Sequence, residues 1–249
     1  MAIEKGEKMN DVLSNALFRA IKDIIQMAEI VASPKIASEV SKNYWTKLFS
    51  DPNETASWET FEFFYSQIKK VMKPTKKDVI LEAGSGGGEL TYLFYKDSFN
   101  VKGFDSCESS VRKAKKRFGN DLFYLDDLLN MKTREKFSKI FLNGVFLCIH
   151  PAYYETALKN LCGITEENGA VYLFDNPDYS KRHIFYNQFR ARTRILNVIT
   201  FFIPVYKKHF AGFWVKTSKV KTVALKAGFS KIETVDSWSN HRTHHILYK

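Results

Sequence analysis

The stretch that decides the fold is Val79-Ile80-Leu81-Glu82-Ala83-Gly84-Ser85-Gly86-Gly87-Gly88-Glu89-Leu90. A short apolar run, Val79–Ala83, is typical of a buried strand and leads into a loop with glycine at alternate positions, and a helix-like stretch follows. Glycine is required where φ is positive or where a ligand lies against bare backbone. At the carboxyl end of the first strand of an open α/β sheet, such a loop predicts a site for a nucleotide-like cofactor.

Short apolar runs alternate with helix-like stretches on the carboxyl side of this loop. The predicted strands after the first one are Val101–Asp105, Leu122–Asp126, Lys139–Asn143, Ala170–Asp175, Lys231–Val235 and His245–Tyr248. The predicted helices are Glu89–Tyr95, Ser109–Phe118, Tyr153–Leu161 and Lys219–Ala227. Alternation at this spacing predicts an α/β fold with a doubly wound, mostly parallel sheet of seven strands.

The part of the chain before residue 75 predicts helices instead. Apolar residues recur at intervals of three and four between Val12 and Ala28, Ser33-Pro34 is typical of a helix start, and Thr55–Met72 is amphipathic. We therefore expect an N-terminal helical cap over residues 1–74 and a cofactor-binding domain over residues 75–249. Within that domain, we expect residues 179–215 to form a helical insert after the fifth strand, on the acceptor side.

The charges around the glycine loop discriminate between cofactors. A dinucleotide fingerprint would need glycine at position 89, where Glu89 stands, and a phosphate-binding P-loop would need a lysine directly after its last glycine. The carboxylate of Glu82 would repel a pyrophosphate but suits an ammonium group. S-adenosylmethionine (SAM) carries an ammonium and a sulfonium and no phosphate, so the charges favour SAM.

Glu82-x-Gly84-x-Gly86-x-Gly88 closely resembles the first motif of class I (Rossmann-like) SAM-dependent methyltransferases of the small-molecule type. The resemblance covers residues 78–175 strongly and the last two strands loosely. It implies an enzyme that binds SAM and releases S-adenosylhomocysteine (SAH). The cofactor-binding residues that it implies are Glu82, Gly84, Ser85, Gly86, Gly88, Asp105, Asp126, Asp127 and Asn143.

The resemblance also implies separate roles for the polar residues of this set. Asp105 ends the second strand and suits hydrogen bonds to both ribose hydroxyls. Asp126, the first carboxylate of the Asp126-Asp127 pair, is implied to receive the adenine amino group, and Asn143 to line the methionine part. An alternative stays open for Asp105 and Asp126, because aspartate is a favoured N-cap and either residue could cap the helix that follows.

Methyl transfer from a sulfonium is an in-line displacement, in which the protein mainly aligns the reacting atoms. An oxygen acceptor usually needs a general base, whereas an amine needs only to be neutral. The candidate bases after the fourth and fifth strands are His150, Asp175 and His183. Each of them could instead be structural. No metal site is expected, because His209, His244 and His245 have no carboxylates clustered at ligand spacing.

The net charge of +11 is unevenly distributed along the chain. Residues 179–232 hold twelve lysines and arginines and no aspartate or glutamate. This pattern indicates an acidic partner, and the alternative is a solvated basic face. Residues 190–208 combine basic residues with an eleven-residue apolar run, which is too short for a membrane span of about 20 residues. That stretch could contact a membrane peripherally, pack on the N-terminal helices or form a homodimer contact.

The resulting hypothesis is a SAM-dependent methyltransferase that modifies an O or N atom of a small acceptor, and the basic insert is compatible with an anionic one. Residues 175–182, Asp-Asn-Pro-Asp-x-Ser-Lys-Arg, are loosely similar to a string in bacterial methyltransferases of surface-polysaccharide and secondary-metabolite pathways, which implies a sugar, sugar-phosphate or other natural-product acceptor. The alternatives are an RNA or protein methyltransferase that uses the basic residues 179–232, and a non-catalytic SAM-binding protein. DNA is not expected as a partner. We expect a cytoplasmic protein, because residues 1–8 are charged where a signal peptide is apolar and the three sparse cysteines suit reduced thiols.

Overall fold

The computed structural model describes residues 21–22, 24–50, 56–187, 205–207 and 210–249. The predicted apolar repeat between Val12 and Ala28 lies partly outside the described residues, as does most of the stretch 190–208. The helices are α1 (residues 24–32), α2 (Pro34–Ser50), α3 (Trp58–Met72), α4 (Glu89–Lys96), α5 (Glu108–Phe118), α6 (Tyr154–Ile164), α7 (Arg182–Asn187) and α8 (Thr217–Ala227). The strands are β1 (Val79–Ala83), β2 (Asn100–Asp105), β3 (Phe123–Leu125), β4 (Phe137–Asn143), β5 (Thr165–Pro177), β6 (Val205–Lys207), β7 (Phe210–Phe213), β8 (Lys231–Asp236) and β9 (Arg242–Tyr248).

Seven of these strands form one sheet with the order β3-β2-β1-β4-β5-β9-β8. Neighbours from β3 to β5 are parallel, whereas β9 runs antiparallel to both β5 and β8. The predicted mostly parallel, seven-stranded sheet is confirmed. The strand order reverses between β1 and β4, and in open α/β sheets ligands bind outside the carboxyl ends of the strands at such a point.

Helices cover both faces of the sheet, and for this reason the central strands bury apolar side chains on both sides. Successive side chains of a strand point to opposite faces. Leu81 of β1 therefore packs with α6 and α8, and its neighbour Ile80 packs with α3 and α4. Ile140 and Phe141 of β4 divide in the same way, and all four side chains are fully buried. The loops at the strand ends thus stand on a rigid, two-sided core.

Some elements differ from the sequence-based expectation in bounds or type. Strand β5 begins at Thr165 rather than at Ala170. Strand β9 begins at Arg242 rather than at His245, which lies in mid-strand opposite Leu173. The insert over residues 179–215 was expected to be helical, and its described part contains the short helix α7 but also an antiparallel pair, β6 and β7. Aromatic and β-branched residues dominate these two strands, which accounts for the difference. Among the described helices, none is long and apolar enough to cross a membrane.

Candidate active site

A cavity of about 490 Å³ lies at the carboxyl ends of the parallel strands, where the strand order reverses. Its volume falls within the range of small-molecule sites, about 300–1,000 Å³. Seven of the nine predicted cofactor residues line it, namely Glu82, Gly84, Ser85, Gly86, Asp105, Asp127 and Asn143. Gly88 and Asp126 do not. The structure therefore brings together, in one wall, residues from the ends of four different strands.

The glycine loop owes its shape to left-handed backbone at alternate positions. Gly84 has a φ of +82° and Gly86 a φ of +52°, a region that favours glycine because it has no Cβ. The amide of Gly84 donates to Phe104 O at 2.8 Å, and the amide of Gly86 donates to Asp105 Oδ2 at 2.9 Å. A Cβ on Gly84 would lie 2.5 Å from Val145 Cγ2. The loop is therefore fixed against the ends of β2 and β4.

Gly88 has a packing role rather than the predicted contact with a cofactor. It is the N-cap residue of α4, with a φ of +87°. A Cβ at this position would lie 2.6 Å from Phe123 Cζ and 2.9 Å from Ala114 Cβ. Glycine is thus required here because α4 starts in contact with β3 and α5.

Glu82 ends up buried at the base of the cavity, with 3% of its surface exposed. The hydroxyl of Thr91 donates to its carboxylate. Burial raises the pKa of Glu82 to about 8, with Glu89 and Asp105 adding repulsion. No lysine or arginine in the described part of the chain forms an ion pair with it. A buried carboxylate of this kind becomes ionised most easily when a cation binds beside it.

Asp105 connects the cavity to the glycine loop. Its Oδ2 accepts from Gly86 N, and its Oδ1 accepts from Cys107 N at 2.8 Å. Burial raises the pKa of this carboxyl. The N-cap position of α5 is Cys107, so Asp105 does not cap that helix. Since each carboxylate oxygen can accept two hydrogen bonds, Asp105 retains capacity for a ligand in the cavity.

The Asp126-Asp127 pair divides its roles differently from the prediction. Asp126 is buried outside the cavity, where its carboxylate accepts from the amides of Asp127, Lys132 and Thr133 at 2.8–3.2 Å. It holds the loop after β3 in place, and its expected contact with adenine stays a prediction. Asp127 lines the cavity, and its Oδ1 accepts from Leu129 N at 2.8 Å. Asp127 is therefore the member of the pair available to a ligand.

His150, the first candidate base, is not brought into the cavity, and both of its ring nitrogens have hydrogen-bond partners. Its Nδ1 accepts from Ala152 N at 3.1 Å, and its Nε2 lies 3.1 Å from Val31 O. Because a carbonyl oxygen can only accept, Nε2 carries the ring proton and neither nitrogen has a free lone pair. The imidazole, which does not line the cavity, connects the loop after β4 to α1.

The structure also does not bring His183, the third candidate base, into the cavity. It is exposed on α7 and does not line the cavity. Of the three candidate bases, only Asp175 lies in the cavity wall.

Asp175 lies at the carboxyl end of β5 in left-handed backbone, with a φ of +60°. Its carboxylate forms an ion pair with Arg242 and accepts from Ser237 Oγ at 3.1 Å. Its amide donates to His244 Nδ1 at 3.0 Å, and its carbonyl accepts from Arg242 Nη1 at 2.9 Å. The register of β5 against β9 shifts at this point. Irregular backbone that is held from every side is typical of functional sites.

The two adjacent histidines of β9 are buried, neutral supports. Burial lowers the pKa of His244 to about 4, with a smaller contribution from His245. Burial likewise lowers the pKa of His245 to about 4. His209 lies outside the described residues.

Sequence reasoning missed the residues that the N-terminal helices contribute to the cavity. They are Ser38, Ser41, Lys42 and Trp45 of α2, with Phe61 and Phe64 of α3. The intervals of three and four place each set on one helical face. The available signal in the sequence was a helical face that combines polar and aromatic residues. The neighbouring sequence does not indicate what such a face contacts.

No protein-family model matches this chain, and no curated protein matches it in sequence. Its fold is similar to that of solved structures. A proposed O-methyltransferase from Nostoc punctiforme PCC 73102 shares 11% identity over 82% of this chain and 60% of that chain, with a TM-score of 0.58. A SAM-dependent methyltransferase from Clostridium acetobutylicum ATCC 824 shares 14% identity over 78% and 92%, with a TM-score of 0.56. Magnesium protoporphyrin IX methyltransferase from Synechocystis PCC 6803, solved with SAH, shares 14% identity over 83% and 91%, with a TM-score of 0.51.

These likenesses define the class of fold. The chain has the fold of class I SAM-dependent methyltransferases. It spans 60% of the length of the Nostoc protein.

Proposed function

We propose that this protein is a SAM-dependent methyltransferase that acts on a small acceptor. The observation that carries the proposal is the grouping of Glu82, Asp105 and Asp127 around the glycine loop in one cavity. Three carboxylates in one wall suit a ligand that is cationic and rich in hydrogen-bond donors. They do not suit a pyrophosphate.

The residues of the cavity fit the parts of SAM. Glu82 would receive the ammonium group, Asp105 the ribose hydroxyls, and Asp127 the adenine amino group. Asn143 would contact the methionine part. Its Oδ1 is buried and has no hydrogen-bond partner among the described residues, and a buried polar atom without a partner is costly unless a ligand satisfies it. Two structures of similar fold, solved with bound SAM and bound SAH, support SAM as the ligand of this cavity.

When bound, SAM supplies a methyl group attached to a sulfonium, which is a good electrophile. The task of this chain is then to exclude water and to hold an acceptor atom in line with that methyl group. Helices α2 and α3 cover the cavity and provide the exclusion. Asp175, the remaining candidate in the wall, would accept a hydrogen bond from the acceptor and orient its lone pair.

The size of the cavity supports a small acceptor rather than a macromolecule. About 490 Å³ leaves room for little beyond a nucleoside-sized cofactor and a compact second molecule. A sugar, sugar-phosphate or natural-product acceptor stays a prediction. The basic residues between 190 and 194, on which an anionic acceptor was predicted to depend, lie outside the described residues.

Calorimetric titration with SAH and a turnover assay test this function. The wild-type protein should bind SAH, and Asp105→Ala should weaken binding by about 100-fold, because two hydrogen bonds to a carboxylate are lost. Asp121→Ala removes an exposed carboxylate outside this cavity and serves as the matched control. Labelled SAM should be converted to SAH in the presence of a panel of hydroxylated and amine-bearing small molecules. Absence of SAH binding by the folded wild-type protein would exclude the proposal.

A further inference from the structure

An ion pair between Glu89 and Arg117 lies beside the glycine loop. Glu89 is the first residue of α4 and lines the cavity. Arg117 comes from the last turn of α5, and its Nη1 donates to Glu89 Oε1. The side chain of Glu89 is 6% exposed and that of Arg117 is 38% exposed. The pair therefore joins a buried carboxylate in the cavity wall to a cation that reaches the surface.

The carboxylate of Glu89 folds back over the glycine loop. A Cβ on Gly87 would lie 2.5 Å from Glu89 Oε2 and 2.8 Å from Glu89 Oε1. The space that a side chain at position 87 would take is thus filled by this carboxylate. The next residue towards the N-terminus, Gly86, donates its amide proton to Asp105. The position of the Glu89 side chain is therefore linked to the part of the loop that lines the cavity.

The guanidinium of Arg117 is oriented by an aromatic pair. Its Cζ lies 4.7 Å from the centroid of the Phe118 ring, a distance at which a cation is attracted to the face of an aromatic ring. Phe118 stacks on Tyr92 of α4, with the ring centroids 4.4 Å apart. Arg117 is therefore held by the same two helices that its ion pair connects.

Glu89 also acts on Glu82, the buried carboxyl that would receive the ammonium group of the cofactor. Burial is the main cause of the raised pKa of Glu82, and repulsion by Glu89 of α4 and Asp105 of β2 adds to it. The partners of Glu82 in the sheet, Gly103 and Phe141, are uncharged. The cavity wall holds four other charged side chains, namely Lys42, Lys113, Asp127 and Asp175. Arg117 offsets the charge of Glu89, because opposite charges in contact largely cancel at a distance.

We propose that Arg117 is a positioning residue for the cofactor that acts through Glu89: it holds the Glu89 carboxylate over the glycine loop and compensates its charge, so that Glu82 can lose its proton when the ammonium group binds. This inference rests on the proposed function, because it concerns the same cavity. Without Arg117, Glu89 would be a buried carboxylate without its cation, which is a costly arrangement. Its charge would then act on Glu82 in full.

The proposal predicts opposite effects for the two members of the ion pair. Because the pKa of Glu82 is about 8, binding of the SAH ammonium at a lower pH requires Glu82 to release its proton. Arg117→Gln makes that release more costly, so SAH affinity should fall about threefold to tenfold at pH 6.5 and by less at pH 8.5. Glu89→Gln removes the repulsion, so SAH affinity at pH 6.5 should rise about threefold. A purely structural ion pair would instead give losses of the same sign from both sides.

Calorimetric titration with SAH at pH 6.5, 7.5 and 8.5 measures these differences. The double variant Glu89→Gln/Arg117→Gln should match Glu89→Gln within about twofold, because Arg117 acts through Glu89 and its exposed charge is otherwise screened. Arg117→Lys keeps the cation and should restore most of the affinity that Arg117→Gln loses. Arg112→Gln is the matched control on α5. Arg112 is 71% exposed, pairs with the exposed Glu108 and lies outside the cavity wall, so this variant should leave SAH affinity unchanged.

Three results would overturn the proposal. They are equal SAH affinity of Arg117→Gln and wild type at pH 6.5, a loss of affinity in both Arg117→Gln and Glu89→Gln that does not depend on pH, and a double variant in which the two single effects simply add. Failure of the proposed function is distinguishable, because the wild-type protein would then bind no SAH at any pH. Failure of the present proposal alone leaves SAH binding by the wild type intact.

Discussion

Two parts of the cavity wall differ in how they are built. Under the proposed function, the part at the ends of β1, β2 and β3 is the cofactor end, and the part formed by α2, α3 and Asp175 is the acceptor end. The cofactor end consists of backbone and short carboxylates that directly follow the buried strands β1, β2 and β3. The acceptor end consists of large side chains from α2 and α3, together with Asp175 on an irregular stretch of β5. Under the proposed function, the cofactor is held by residues at the strand ends, which belong to the most rigid part of the fold. The acceptor is held mainly by elements outside the sheet.

The two ends also differ in how they tolerate left-handed backbone. Gly84 and Gly86 adopt positive φ at the cofactor end without a Cβ penalty. Asp175 adopts a φ of +60° at the acceptor end and keeps its side chain. Its amide donates a hydrogen bond and its carbonyl and carboxylate accept hydrogen bonds, which together offset that cost. Positive φ is therefore accommodated by glycine at the cofactor end and by the hydrogen bonds of Asp175 at the acceptor end.

The largest effect is expected from Gly86→Val, which disturbs the backbone of the cofactor end. A β-branched residue at a φ of +52° is strongly disfavoured, and the new side chain would disturb the amide that donates to Asp105. We expect SAH affinity to fall at least 100-fold in calorimetry.

Gly119→Ala is the matched control for Gly86→Val. Gly119 also has positive φ, +112°, but a Cβ there would meet no atom within 4 Å, and the residue lies outside the cavity. This variant should lower the melting temperature and leave SAH affinity unchanged. Equal SAH affinity in Gly86→Val and wild type would show that the glycine loop does not bind the cofactor.

The cofactor end was largely predictable from sequence, because its residues are local to strand ends. Strand β1 was predicted with the observed bounds, and Glu82 and Asp105 fall where parallel strands bring them together. The orientation of a side chain beyond the strand end was not predictable. Asp126 turns towards the amides of residues 132 and 133, and that loop closes through contacts with no periodic signal.

The acceptor end was poorly predictable for a different reason. The spacing of Phe61 and Phe64 predicts an amphipathic helix, but it does not indicate whether the face packs on protein or lines a cavity. His150 looked suitable as a base from its position after β4. Its partners, Val31 and Ala152, are visible only in three dimensions, since one of them is 119 residues away.

The second largest effect is expected from Glu82, the buried carboxyl at the cofactor end. The pKa of Glu82 is about 8, against an ordinary value of 4.5. Between these values the folded protein holds a proton that the unfolded chain has lost, so the free energy of unfolding falls as the pH rises. Above about pH 8 the ionised Glu82 destabilises the unliganded protein by an amount on the order of a few kcal/mol. Glu82→Gln removes this dependence and should be more stable than wild type at pH 8.5.

Denaturant unfolding at pH 5.5 and pH 8.5, with and without SAH, measures this effect. The gap between wild type and Glu82→Gln should be largest at pH 8.5 without ligand. Saturating SAH should stabilise the wild type more than the variant, because its ammonium compensates the carboxylate. Glu155→Gln, at a partly exposed carboxyl whose pKa is lowered by Lys159, should show no such gap. Parallel pH profiles for wild type and Glu82→Gln would mean that Glu82 does not bear this charge.

The smallest effect is expected from substitutions of two neighbouring carboxylates that sequence alone cannot tell apart. Asp127→Asn keeps an oxygen for Leu129 N but replaces an acceptor with a donor where the adenine amino group would bind, so SAH affinity should fall about tenfold. Asp126→Asn should leave SAH affinity within about twofold and reduce the free energy of unfolding by about 1–3 kcal/mol, because it disturbs the amides of residues 127, 132 and 133. The two variants have the same chemistry one residue apart, so each is the control for the other. The opposite pattern, with affinity lost in Asp126→Asn alone, would assign adenine recognition to the buried carboxylate and require the loop after β3 to rearrange on binding.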